Sequence, residues 1–285
     1  MPRQPDAGTG RVFDELAEDY DRHRPSYPDA LVDRACAGIG AGATVLEIGC
    51  GTGQLTRSLL ARGLRVTAVE PGRQLIARAH DKLDGAGDLQ FVNARFEDAA
   101  LPHTGFSAVF SASAIHWIDA DVSWRKAADA LVDGGTLALL SYFGLDDPRS
   151  AGDQQALRAA IAKIAPGAGA EWPAYRDLAA TLAGAAARRE NVSQLWAWLG
   201  GYEVARGYAA ELFDDVQVVA VPSQLQHTAE ELNAMLGTMS FRAALSPSQR
   251  DALIGENESL HRRLGRPIRS STVACLAVAR RRPRR

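Results

Sequence analysis

The chain has 285 residues, 46% of them hydrophobic and 23% charged, which is ordinary globular composition with enough apolar material for a sizeable core. A formal net charge of -2 provides no global field for polyanions and argues against a nucleic-acid partner. No run of about 18 apolar residues exists and the N-terminus lacks an apolar stretch, so neither a membrane span nor a signal peptide is expected. The three cysteines Cys36, Cys50 and Cys275 are scattered and form no CxxC pair, which argues against a disulfide framework and a zinc site and fits a cytoplasmic protein.

Residues 1–10 are polar and rich in turn formers. Val12, Phe13, Leu16 and Tyr20 recur at helical spacing, which predicts a helix over 11–22. Arg24-Pro25-Ser26-Tyr27-Pro28 breaks it, and a second helix is expected over 28–38. A regular alternation follows. Strands are expected at Thr44–Ile48, Arg65–Val69, Leu89–Val92, Ser107–Ser111 and Thr136–Tyr142. Helices are expected at 54–62, 72–83 and about 121–131. Such alternation indicates βαβ units and a doubly wound parallel sheet. Residues 150–210 are Ala-rich and helical in pattern, with Trp172, Tyr175, Trp196, Trp198, Tyr202 and Tyr208 interleaved, and read as an inserted helical cap. Val216–Val221 and Thr272–Ala279 complete the strands, with helices expected at Thr228–Met239 and Pro247–Arg263. The terminal run of Arg280, Arg281, Arg282, Arg284 and Arg285 reads as a solvated end, with a nucleic-acid or membrane tail as the alternative.

The most informative segment is Glu47-Ile48-Gly49-Cys50-Gly51-Thr52-Gly53, between a predicted strand and a predicted helix. Glycines there let the backbone turn sharply and approach a ligand. In an open α/β sheet the crevice beyond that strand end is the default ligand site. The spacing is G-x-G-x-G rather than the G-x-G-x-x-G of dinucleotide sites. Glu47 also places a carboxylate where a pyrophosphate would sit badly and an ammonium group well. The loop therefore favours an adenosine ligand with a cationic tail. Glu70, about twenty residues on, can accept two hydrogen bonds from ribose hydroxyls; its alternative role is to cap the next helix.

These residues resemble the class I S-adenosylmethionine (SAM)-dependent methyltransferases. Phe13-Asp14, Tyr20-Asp21, Arg24–Pro28 and Ala114-Ile115-His116-Trp117-Ile118-Asp119 are similar to the N-terminal lid and the His-Trp segment of one bacterial branch, related to the trans-aconitate methyltransferases. Thr228-Ala229-Glu230-Glu231 and Val278-Ala279-Arg280 also fit. The resemblance implies a Rossmann-like seven-stranded sheet, mostly parallel with one antiparallel strand. Its divisions are a helical lid at 1–40, a SAM-binding core at 41–145, a helical cap or acceptor region at 146–212, and completion of the sheet at 213–285. It implies SAM as cofactor and a small-molecule acceptor, with neither nucleic acid nor membrane as partner, in a monomer or homodimer. Secondary metabolism is a fitting setting.

By position, the resemblance implies that Glu47, Gly49, Cys50, Gly51 and Gly53 line the methionine end of SAM and that Glu70-Pro71 holds the ribose. Arg95-Phe96-Glu97 occupies the place of adenine contact. Many relatives carry Asp at the Arg95 position; Arg95 cannot accept a hydrogen bond, so the Phe96 amide, the Phe96 ring or Glu97 must make the contact. Ser111 would lie beneath the methyl group. Tyr20 would close over the cofactor. Arg24, Tyr27, Trp117 and Tyr142 would face the acceptor; Arg24 could instead cap the first helix, and Trp117 could be core.

An electrophilic methyl group needs a nucleophile held in line with it, and orientation supplies much of the rate. A base is needed only for an acceptor that arrives protonated. His116 is the candidate base, with His23 as the alternative; the other reading of His116 is a packing residue. An oxygen acceptor, hydroxyl or carboxylate, is expected, with C- or N-methylation or a non-catalytic SAM-binding module as alternatives. No His/Asp/Glu grouping has metal-ligand spacing. A nucleotide-dependent oxidoreductase is disfavoured by the glycine spacing. A base-methylating enzyme is disfavoured by Ser111-Ala112-Ser113-Ala114, where an Asn/Asp-Pro-Pro-Tyr/Phe segment would stand.

Overall fold

A computed structural model describes residues 14, 18, 21–22, 26–166, 175–201, 209–239 and 245–284. Tyr20, His23, Arg24, Trp172, Tyr202 and Tyr208 lie outside the described residues. The strands are β1 (Thr44–Ile48), β2 (Arg65–Val69), β3 (Leu89–Val92), β4 (Phe106–Ala112), β5 (Leu131–Gly144), β6 (Phe213–His227) and β7 (Ile268–Arg281). They form one sheet in the order β3-β2-β1-β4-β5-β7-β6. Strands β1 to β5 pair in parallel, and β7 runs antiparallel to both β5 and β6. The expected α/β sheet with a single antiparallel strand is thus what the chain forms.

The sheet is buried on both faces because its strands alternate between two apolar layers. Val45, Ala108, Phe110, Ala138 and Leu140 point to one side, where they meet α1 (Asp29–Ala35), α2 (Gln54–Leu60) and α3 (Arg73–Leu83). Leu46, Ile48, Val109, Leu137 and Leu139 point to the other, against α4 (Ala120–Ala130), α7 (Val192–Gly200) and α8 (Ala209–Leu212). Pro222 sits within β6, where the missing N–H is tolerated because β6 is an edge strand.

The segment expected as a cap divides between two places. Helix α6 (Leu178–Ala186) and α7 cover the sheet face beside α4, and Trp196 is a core residue there, edge-on to Phe143 at 5.9 Å. Trp198 packs against Gly184, where an added Cβ would stand 2.1 Å from the indole, and the Arg176 and Arg188 guanidiniums lie over its ring at 4.2 and 4.6 Å. These two tryptophans therefore pack the layer. Helix α5 (Ala151–Ile164) instead joins α9 (Ala229–Gly237) and α10 (Pro247–Leu264) in a third apolar cluster around Ile161, Leu232, Leu260 and Ile268, at the start of β7. Tyr175 closes the carboxyl end of β5, its ring on Gly144 and the Arg158 guanidinium 3.8 Å over the ring.

Candidate functional site

The strand order reverses between β1 and β4, so their carboxyl ends open the crevice where open α/β sheets bind ligands. The glycine loop fills that point. Gly49, Gly51 and Gly53 adopt φ of 71°, 56° and 85°, a region that favours glycine. At Gly49 a Cβ would also lie 2.3 Å from the Cβ of Ala114, so the loop after β1 sits directly against the segment after β4. Cys50 is buried, and desolvation pushes its thiol well above the usual range, which makes it inert packing.

Glu47 has no solvent exposure. Thr56 Oγ1 donates to its Oε2 at 2.7 Å, while Oε1 has no hydrogen-bond partner. Burial pushes its pKa up to about 7; the Thr56 hydroxyl opposes this and the nearby Glu70 carboxylate adds to it. Glu70, 7% exposed, ends β2. Its Oε2 accepts from the Gly51 amide at 3.0 Å and its Oε1 from the Gly72 amide at 2.9 Å. Burial raises its pKa too, against those two amides. Glu70 therefore cross-links the loops after β1 and β2 and keeps lone pairs to spare. Asn93, beyond β3, donates to the carbonyls of Glu70 and Pro71, both at 3.0 Å, and fixes that turn.

Next along the edge, Arg95 donates to Glu97 Oε1 at 2.7 Å, and the Asp119 amide approaches the same oxygen at 3.5 Å. The Phe96 ring is buried in the core, with the Lys126 ammonium 5.4 Å over it, so it cannot stack on a base; the Phe96 amide and Glu97 remain. Lys126 donates to the carbonyls of Glu97 and Ala99 at 2.8 and 2.7 Å, and burial pulls its pKa down.

On the other side of the glycine loop, Ser111 is fully buried and its hydroxyl donates to Ile48 O at 3.2 Å. The hydroxyl nearer the crevice is that of Ser113. This non-glycine residue has φ of 52°, a conformation costing about 1–2 kcal/mol. Its Oγ shares hydrogen bonds with Tyr27 OH at 2.9 Å and with Ser141 Oγ at 3.0 Å. Tyr27 and Tyr142 stack with centroids 5.2 Å apart, and Tyr142 OH donates to Ser26 O at 2.6 Å. Tyr27 and Tyr142 are thus brought together, as a hydroxyl and aromatic wall beside the loop.

His116 and Trp117 form a single 3-10 turn, Ile115–Trp117, with their rings 5.4 Å apart. Part of His116 reaches the surface, yet desolvation pushes its imidazole pKa down to about 3. It is neutral at any physiological pH and a weak base. Asn93, Ser113, Lys126 and Ser141 escape sequence reasoning because each acts through partners at least 22 residues away. Among the described residues no group of His, Cys, Asp and Glu could hold a metal ion, and no helix is long and apolar enough to cross a membrane.

Comparison with known proteins gives this arrangement its context. Residues 46–139 match the family model described as a methyltransferase domain. An uncharacterized methyltransferase of Mycobacterium tuberculosis is 35% identical over 121 residues, 42% of this chain and 48% of that protein. One from Geobacillus kaustophilus is 31% identical over 137 residues, 44% of this chain and 63% of its own length. The chain thus spans about half the length of the curated relatives it matches. Among solved structures, a proposed type II methyltransferase from Anaeromyxobacter dehalogenans is similar over 92% of this chain and 99% of its own, with TM-score 0.58 and 21% identity. Phosphoethanolamine N-methyltransferase 2 of Haemonchus contortus, solved with phosphomonomethylethanolamine and S-adenosylhomocysteine, covers 95% of this chain and 58% of its own, with TM-score 0.51 and 16% identity. At such identities the structures share the fold.

Proposed function

We propose that the chain, whose residues 46–139 match the methyltransferase-domain family model, is a class I SAM-dependent methyltransferase that transfers a methyl group from SAM to the oxygen of a small organic molecule, a hydroxyl or a carboxylate. The observation that carries this reading is the pair of buried carboxylates at the glycine loop. Glu47 has an oxygen without a donor, and both Glu47 and Glu70 are pushed toward protonation by burial and, at Glu47, by the other carboxylate. A ligand with a positive charge relieves that stress, and a pyrophosphate aggravates it. The residues present therefore fit the cofactor: Glu47 and the glycine loop for its aminoacyl end, Glu70 for the ribose hydroxyls, and the turn 95–97 for adenine. When bound, SAM supplies an activated methyl group.

The chain's own contribution is position and exclusion of water. Close packing of Gly49 on Ala114 sets the loop against the Ser113 wall, where Tyr27, Ser113 and Ser141 offer neutral hydroxyls to orient an acceptor oxygen. Burial holds His116 neutral, which favours a packing role over taking a proton. Calorimetry with S-adenosylhomocysteine and methyl transfer from SAM to a panel of phenols, alcohols and carboxylic acids test the reading. Binding followed by transfer to an oxygen acceptor supports it; absence of binding removes it.

A further inference from the structure

We infer that Asp14, Glu18 and Asp21 are positioning residues for the cofactor pocket, forming an acidic ladder that braces both of its loops through α3. The three residues stand at i, i+4 and i+7, one face of a helix, and all three are helical. Their partners stand along α3 in the same order. Asp14 Oδ1 accepts from the amides of Gln74 at 2.6 Å and Leu75 at 3.1 Å. Glu18 Oε1 lies 3.4 Å from Arg78. Asp21 Oδ1 accepts from the Lys82 ammonium and from Thr52 Oγ1 at 2.9 Å, and Lys82 also donates to Thr52 O at 3.2 Å.

The two end rungs differ from ordinary surface pairs. Helix α3 begins at Gly72, which has no side chain to cap it; Asp14 supplies that cap from some sixty residues away, where the helix dipole favours an anion. A Cβ at Gly72 would lie 2.8 Å from Asp14 Oδ1 and 3.2 Å from Glu70 Oε1, so the cap and the ribose-side carboxylate meet at one backbone position. The other end rung closes on Thr52, between two glycines of the loop, and its charges are only 18% and 26% exposed. The middle rung, 65% and 41% exposed, is screened and contributes little. The ladder thus ends on the glycine loop at one end and beside Glu70 at the other. Opening it releases both loops together.

The inference rests on the methyltransferase reading, and release of S-adenosylhomocysteine from the full chain tests it. Dissociation is followed by stopped flow at about 50 and 500 mM NaCl, which moves the screening length from beyond a rung to near its size. In the wild type, release is expected to quicken roughly fivefold at high salt. Asp21→Asn and Lys82→Met are expected to release roughly fivefold faster at low salt and to lose the salt response. The charge-swapped pair D21K/K82D is expected to hold the ligand longer than either single swap, an outcome that loss of packing does not produce. Wild-type release from D21N and K82M at both salt concentrations would overturn the ladder and leave the methyltransferase reading standing. No binding to the wild type would overturn both.

Discussion

Glu47→Gln separates the cost of the buried carboxylate from its use. Glu47 has its pKa raised from 4.5 to about 7, chiefly by desolvation. Because the folded value lies above the unfolded one, the associated stability is present below pH 4.5 and is lost as pH rises through 7. A displacement of this size amounts to roughly 3 kcal/mol. Gln keeps the shape and cannot ionise. At pH 5, where about a quarter of the effect has set in, the ligand-free wild type and E47Q should melt within about two or three degrees of each other. At pH 8 E47Q should be more stable by roughly 3 kcal/mol, or about 5–10 °C for a chain of this size. A cationic ligand beside the loop pulls Glu47 into its ionised form. Calorimetry with S-adenosylhomocysteine in buffers of different ionisation enthalpy should then show a proton released on binding. The release should be about half a proton at pH 7, nearly one at pH 6 and little at pH 8. E47Q should release none and bind more weakly. A melting difference that does not change between pH 5 and pH 8, or binding without proton release at pH 6, would refute the electrostatic account of the loop.

Ser113→Gly and Ser113→Ala both delete the hydroxyl shared with Tyr27 and Ser141, but only Gly accepts the positive φ freely; S113G should be more stable than S113A by about 1 kcal/mol in chemical denaturation, and equal stabilities would contradict the strain. Lys126→Met leaves the carbonyls of Glu97 and Ala99 without their donor; affinity for S-adenosylhomocysteine should fall roughly three- to tenfold, and its preference over the inosine analogue should shrink, whereas an unchanged preference would detach Lys126 from the adenine turn. His116, with its pKa lowered to about 3, should show no imidazole titration by NMR above pH 4. Its folded pKa lies below the unfolded one, so its contribution to stability is present above pH 6.5 and is lost as pH falls toward 3, and H116Q should reduce the acid sensitivity of unfolding. Titration near 6.5 would return His116 to the role of base.

The parallel half of the sheet is legible in the sequence because its signals are local. Thr44–Ile48, Arg65–Val69 and Leu89–Val92 are short apolar runs between glycines and polar residues, and the strands have those bounds. At the antiparallel edge the same reasoning comes up short. The predicted Thr272–Ala279 becomes Ile268–Arg281 and the predicted Val216–Val221 becomes Phe213–His227. Pairs such as Gln226 with Arg269 and Leu225 with Ser270 extend the ladder through polar residues. Backbone hydrogen bonds hold those pairs, and side-chain pattern carries no trace of them. The site divides in the same way. The glycines and the two carboxylates are readable because one stretch of chain dictates their geometry. Ser113 and Lys126 look like surface residues until the fold places Tyr27 and Glu97 against them, and the lid motif that holds Asp21 does not foretell its pairing with Lys82.

The charge of the crevice also decides between ligand classes that the glycine spacing alone separates only weakly. A dinucleotide would bring two phosphate charges to a loop where Glu47 is fully buried and Glu70 nearly so. Anion-binding loops of this topology depend on unpaired amides and a helix N-terminus. Here the Gly51 amide is already given to Glu70, and Gly53 opens a helix of only seven residues. A positively charged ligand meets the opposite condition: each carboxylate lies above its ordinary pKa, so the free energy spent on burying them is recovered when the cation arrives. Selectivity for a cationic adenosine ligand then follows from the desolvation of two acids, with the unpartnered oxygen of Glu47 facing the ligand's positive charge.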